Sequence, residues 1–258
     1  MILRNVRLTV SYDGSAYFGF QSQPGKDTIQ ARLQSALRAV TGVETTVIAS
    51  GRTDAGVHAR AQVVNFITGS SIPAGRWCRA LNSYLPPDIV VWRAEDVPLE
   101  FHARKSAKRK TYCYAINGNR YADVFSKHTQ YHHPGPLNVQ AMKDALPAVV
   151  GEHDFTSFCS MRTGCESRIR TIYEARLEQE EVPGMNNVPG TGVLRVFLTG
   201  NGFLYHMVRI ITGTLISIGE GKLSSSDMRR ILEARDRTQA GPTAKAQGLT
   251  LWEVRYDD

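Results

Sequence analysis

Val6, Leu8 and Val10 alternate with Arg7, Thr9 and Ser11, and this period of two commits the opening of the chain to a strand with one face in a core. Tyr12-Asp13-Gly14 stops the run. The apolar period then changes, because Ile29, Leu33, Ala36, Leu37 and Val40 fall on one face of a helix that starts after Asp27-Thr28 and stops before Gly42. Extended runs follow at Thr45 to Ser50 and Gln62 to Thr68. A second helical stripe, Trp77, Ala80, Leu81, Tyr84 and Leu85, is stopped by Pro86-Pro87, and Ile89 to Trp92 resumes extended structure.

The same switching recurs in the second half. Strands are expected at Thr111 to Ile116, Ile172 to Leu177, Val193 to Leu198 and Leu249 to Val254. Helices are expected from Val139 to about Val150, at Leu204 to Ile218 and at Asp227 to Ala234. Pro183 to Gly192, rich in Gly, Pro and Asn, is expected to be a hairpin loop. The fold class is therefore α+β, built as two similar α/β halves, an internal pseudo-repeat whose sheets can join across a cleft. The expected division is 1–120 and 121–258, since Tyr121 to Pro136 is the nearest approach to a boundary.

Hydrophobic residues make up 42% of the 258 and charged residues 21%, which excludes a disordered chain. Lys and Arg number 31 against 24 Asp and Glu, a formal charge of +7, so polyanions are favoured partners. Cys78, Cys113, Cys159 and Cys165 form no C-x-x-C pair and the seven histidines no H-E-x-x-H spacing, so no metal is expected and the thiols read as packed and reduced. Met1 to Arg4 runs into the first strand without an apolar secretory segment. Met207 to Ile218 is too short for a membrane span and contains Arg209. A cytoplasmic protein is expected.

Three segments have the makings of chemistry. Gly51-Arg52-Thr53-Asp54-Ala55-Gly56-Val57-His58-Ala59-Arg60 places a carboxylate between Arg52 and His58 and between two glycines, in a loop joining strands. Such a loop can present Asp54 to a ligand, although an Asx-turn with a purely structural Asp54 satisfies the same spacing. In Arg104-Lys105-Ser106-Ala107-Lys108-Arg109-Lys110 five of seven residues are basic, and Tyr112 and Tyr114 follow. Clustered cations beside aromatic faces suit phosphates and unpaired bases; a solvated charged face with core tyrosines is the alternative. Arg209 stands on an otherwise apolar helix, where it needs a carboxylate or an anionic ligand, and a structural ion pair meets that need equally well.

Six stretches in order carry a resemblance that spans nearly the whole chain. They are Tyr12-Asp13-Gly14 with Tyr17-Phe18-Gly19-Phe20-Gln21; Gly51 to Ala59; Phe101-His102-Ala103-Arg104; Gly151-Glu152-His153-Asp154-Phe155-Thr156-Ser157-Phe158; Phe203 to Arg209; and Pro242-Thr243-Ala244-Lys245-Ala246-Gln247-Gly248-Leu249. Together they resemble the tRNA pseudouridine synthase I (TruA) family. The resemblance implies two α/β halves around a basic cleft, a homodimer, no metal and no organic cofactor. It also implies action on uridines 38, 39 and 40 in the anticodon arm of tRNA. Residue by residue, Asp54 resembles the catalytic aspartate, Tyr112 the active-site tyrosine, Arg209 the arginine paired with the aspartate, and Arg52 the residue that fills the space a departing base leaves. Arg104, Lys105, Lys108, Arg109, Lys110 and Leu249 complete the expected RNA-binding set.

That activity breaks the N1–C1′ glycosidic bond, turns the uracil and rejoins it through C5, so the nucleotide must first leave its stack. A carboxylate suits the key step as nucleophile or as base, and the sequence leaves open whether Asp54 attacks the base, attacks the sugar or removes a proton. Tyr112 offers a stacking face and a hydroxyl. A non-catalytic RNA-binding module would use the same cations without Asp54. A base deaminase would need an H-x-E with P-C-x-x-C zinc signature, which this sequence lacks.

Overall fold

A computed structural model describes residues 2–160, 167–180 and 192–256. The chain gathers into two compact units, Met1–Lys108 with Thr250–Asp258, and Arg109–Leu249. The sequence had suggested a single cut at 120/121; here the chain leaves the first unit, builds the second, and returns.

The first unit contains β1 (Arg4–Tyr12), α1 (Ile29–Thr41), β2 (Ile48–Ala49), β3 (His58–Thr68), α2 (Ala74–Asn82), β4 (Ile89–Val97) and, in chain order, β10 (Leu249–Arg255). Its strands run β4-β1-β3-β10, with β2 on β3. β1 is antiparallel to both neighbours, and β10 lies parallel to β3 with Thr250 opposite His58 and Leu251 opposite Ala59. Val6 and Leu8, opposite Phe66 and Val64, are fully buried, and Phe66 meets Trp77 of α2 edge-on at 5.2 Å. This face receives the helices, and each Val or Leu buried on it contributes about 1.5–3 kcal/mol. α1 is fixed at both ends: the Thr28 side chain accepts from Ala31 N, and Gly42, at φ 72°, donates to Arg38 O.

Arg7, Thr9 and Ser11 point to the opposite face, and at this level both neighbours of β1 bulge. Thr9 pairs with Arg93 and Val10 with Val91, leaving Trp92 as an extra residue of β4. Val10 pairs with Gln62 and Tyr12 with Ala59, so Arg60 and Ala61 of β3 together oppose Ser11. Extended structure in this unit is redistributed relative to expectation. The run 45–50 shrinks to Ile48–Ala49, the strand expected from Gln62 begins at His58, and that expected to end at Trp92 reaches Val97. Pairing along the full length of β1, a non-local effect, sets these lengths.

The second unit contains β5 (Arg109–Asn117), β6 (Tyr131–His132), α3 (Val139–Ala145), β7 (Gly151–Asp154), β8 (Ile169–Glu180), β9 (Val193–Gly200), α4 (Met207–Gly219) and α5 (Asp227–Ala234). The strands β5-β9-β8-β7 are antiparallel neighbours, and β6 runs parallel to β5. The helix expected to reach Val150 ends at Ala145 and tightens into a 3-10 turn over Leu146–Val149, because Pro147 has no amide to continue the ladder. α4 starts at Met207, not Leu204, since His206 turns the chain at φ 62°. Every residue of α4 except Arg209 is buried, and Thr212, Thr214 and Ser217 return their hydroxyls to carbonyls one turn back. Of the expected hairpin loop, residues 183–191 lie outside the described residues, as does Cys165. Cys78 and Cys113 are free thiols. Among the described residues no helix is long and apolar enough to cross a membrane. The architecture is mixed α+β, as the alternating periods imply.

Candidate active site

The segment with Asp54 is shorter than the sequence implied, because His58 already opens β3. It closes as a turn in which Val57 N donates to Asp54 O at 3.1 Å, with Gly56 at φ 75°. Arg52 is exposed and Asp54 half-buried. Beneath them lies a chain of buried polar groups. Thr53 Oγ1 and Tyr12 Oη share a hydrogen bond of 2.8 Å. Gln62 donates to Gly51 O at 2.9 Å and accepts from Ser50 Oγ at 2.6 Å. Burial raises the Tyr12 hydroxyl to about 12, against the smaller opposing pull of its bonds to Thr53 and Gln62.

The Tyr12 to Gln21 stretch forms the frame of this loop. A Cβ on Gly14 would overlap the Val57 carbonyl, and one on Gly19 would lie 2.7 Å from Thr53 O and 3.1 Å from the Asp54 carbonyl carbon. Phe20 N donates to Thr53 O at 3.0 Å, and Gly14 N donates to His58 Nδ1 at 3.0 Å. Tyr17, whose carbonyl accepts from Gly56 N, donates its own hydroxyl to Asp88 at 2.7 Å. Burial first, and then the Asp88 carboxylate, push that hydroxyl up. Two of the six matching stretches are thus one object, with the backbone on both sides of Asp54 held by backbone. Sequence reasoning did not name Ser50, Thr53 or Gln62 as supports. The available signal was Gln62, a polar residue at a helix-facing position of a strand whose next two such positions are Val64 and Phe66.

Tyr112, Arg209 and Leu249 belong to the second unit. Tyr112, on β5, is 9% exposed and meets the Phe203 ring edge-on at 5.2 Å. Arg209 is half-buried, less enclosed than its apolar helix suggested, and its Nε donates to Ala244 O at 2.8 Å while Ala244 N donates to Arg209 O at 3.0 Å. The stretch Pro242 to Leu249 is what holds it. Gly213 of α4 has no room for a Cβ against the Pro242 carbonyl, and Gly241 N donates to Thr214 Oγ1. Tyr114 donates to Lys245 O at 2.7 Å, and its ring lies against Gly248. Burial pushes the Tyr114 hydroxyl up and Tyr131 adds to the shift, while the nearby Arg209 cation opposes it. Leu249 is buried.

The basic run spans a loop and the start of a strand. Arg104, Lys105 and Lys108 are exposed in the segment before β5, whereas Arg109 and Lys110 are strand residues. The Arg109 guanidinium lies over the Tyr173 ring at 4.7 Å. Among the described residues no group of three or more His, Cys, Asp or Glu could hold a metal ion.

Residues 8–104 and 145–257 match the family model described as tRNA pseudouridine synthase. Curated relatives align from end to end. The tRNA pseudouridine synthase A of Bacillus velezensis is 48% identical over 255 residues, covering 98% of this chain and 99% of the relative. That of Brevibacillus brevis is 46% identical over 256 residues (98% and 100%), and that of Bacillus subtilis 46% over 255 (98% and 99%). A rigidly framed aspartate loop and end-to-end similarity at this level lead to one assignment: the chain belongs to the tRNA pseudouridine synthase family of isomerases.

Proposed function

We propose that the protein isomerises uridine to pseudouridine at positions 38, 39 and 40 of the tRNA anticodon arm, with Asp54 as the catalytic carboxylate. The observation that carries this is the framing of the loop by Gly14 and Gly19, which leaves the backbone at Thr53, Asp54 and Val57 almost no freedom. A surface Asx-turn needs no such support, whereas a group that must meet a flipped uridine does. Arg52, exposed beside Asp54, takes the place of the base in the stack. Tyr112 supplies a face for the freed uracil. Arg209 is the arginine paired with the aspartate in this reading, its guanidinium a charge-assisted donor suited to a carboxylate.

In this scheme a homodimer is the working form in the cytoplasm. Incubating unmodified tRNA transcripts with the purified protein and mapping pseudouridine by carbodiimide treatment tests the proposal. Stops confined to 38–40 are expected. Stops elsewhere would overturn the position, and RNA bound without any stop would reduce the protein to a binding module.

A further inference from the structure

We infer that Trp92, Arg60 and Trp252 form a base-stacking platform for unpaired RNA on the face of the first unit's sheet opposite its helices. They lie on β4, β3 and β10, at the level where β1 presents Ser11. Trp92 is the extra residue of one bulge and Arg60 belongs to the other. Bulges re-aim side chains beside functional sites, and here two of them act on either side of one strand. Trp92 is 53% exposed, and its Nε1 donates to Arg60 O at 3.3 Å. The Arg60 guanidinium carbon lies 4.5 Å from the Trp252 ring centroid.

The chemistry of this row selects its occupant. A solvent-facing indole offers a flat apolar face on which a base can stack. Arg60 is exposed and has no carboxylate partner among the described residues, so one cation, seated over the Trp252 ring, is left without a neutralising carboxylate in a chain of charge +7. Unpaired bases on a phosphate backbone need both elements: aromatic faces that accept any base, and a guanidinium that stacks and neutralises a phosphate. A lipid surface would call for several cations around an apolar patch, and a protein partner for a larger apolar area.

The inference deepens the proposed tRNA activity by adding a binding surface for unpaired nucleotides, and its test separates the two. A short oligouridylate is the probe for the platform, and mapping of pseudouridine on tRNA is the probe for the activity. Trp92→Leu is expected to weaken oligouridylate binding about 5- to 150-fold, the range for loss of one stacked base. Trp92→Phe, which keeps a π face, should stay within about 2-fold of the parent on the same scale. Arg60→Gln should weaken binding and lower the slope of log K against log salt by about 0.7, the single-strand value for one neutralised phosphate. Parent-like oligouridylate affinity in a folded Trp92→Leu protein overturns the platform, whatever the outcome on tRNA. Equal losses in Trp92→Leu and Trp92→Phe overturn it too, because they would trace the effect to the indole N–H. A change in sedimentation without a change in RNA affinity would assign the face to a second copy of the chain.

Discussion

Gly19 and Thr53 are in backbone contact: a Cβ on Gly19 would lie 2.7 Å from the Thr53 carbonyl oxygen, and Gly19 is held at φ 86°. Gly19→Ala therefore meets a steric and a torsional penalty together, on the order of 1–3 kcal/mol, and displaces the peptide that leads into Asp54. Gly42→Ala is the control. Gly42 has a similar φ of 72° but nothing within 4 Å of its Cβ position, so it should lose about 1–2 kcal/mol and keep its activity. Urea unfolding and tRNA turnover measured on both variants check the contrast, and equal turnover would remove the frame from the account.

Asp54→Asn preserves the size of the side chain and most of its bonding capacity while removing the charge. Isomerisation should fall by at least about 10³-fold, the scale on which losing a member of a catalytic set acts. Affinity for tRNA should change little. Single-turnover mapping beside filter binding reads both, and appreciable residual turnover in a contamination-free preparation would dismiss Asp54 as the catalytic group.

Arg209 has a double attachment to Ala244 through its Nε and its backbone carbonyl. Arg209→Leu keeps the apolar stem but strands a carbonyl, costing about 1–3 kcal/mol, and should abolish turnover. Arg209→Lys restores charge without the planar fork, so it should recover part of the stability and less of the rate. Full activity in a folded Arg209→Leu protein would make the residue purely structural.

Arg104, Lys105 and Lys108 are exposed, and replacing all three with Gln should flatten the salt dependence of tRNA binding. The slope falls by about 0.7–0.9 for every phosphate that is no longer neutralised. An unchanged slope would show that these cations only solvate the surface.

Tyr12 is 4% exposed, and burial raises its hydroxyl from 10.0 to about 12. The folded state then holds this proton more tightly than the unfolded state does. The linked stability is fully present below pH 10 and is lost as pH rises from 10 toward 12. Urea midpoints should fall through that window, and less steeply in Tyr12→Phe than in the parent. Parallel slopes would mean that other buried tyrosines govern the alkaline limb.

The parts of this structure that were legible in the sequence are those with local signals. The apolar face of α1, its Thr28 start and its Gly42 stop are all within the helix or next to it. Asp54 stood out because glycines and charges crowd around it. The frame around it was not legible as a frame, since Gly14 and Val57, or Gly19 and Thr53, are joined only when β1 and β3 pair. The bulges that aim Trp92 and Arg60 depend on register, which no single strand encodes. Pro147 was a local signal against a continuous helix to Val150, and the apolar periodicity around it masked it.

The return of β10 to the first unit makes that unit discontinuous in time as well as in sequence. Its other strands and both its helices are synthesised before residue 109, yet the strand that lies beside β3 arrives only after residues 109–249 have been made. During translation β3 therefore waits with an open edge, its backbone donors and acceptors facing solvent near His58 and Ala59. The unit begun first is the one completed last, so a ribosome stalled anywhere in residues 109–249 leaves an aspartate loop attached to an unfinished sheet.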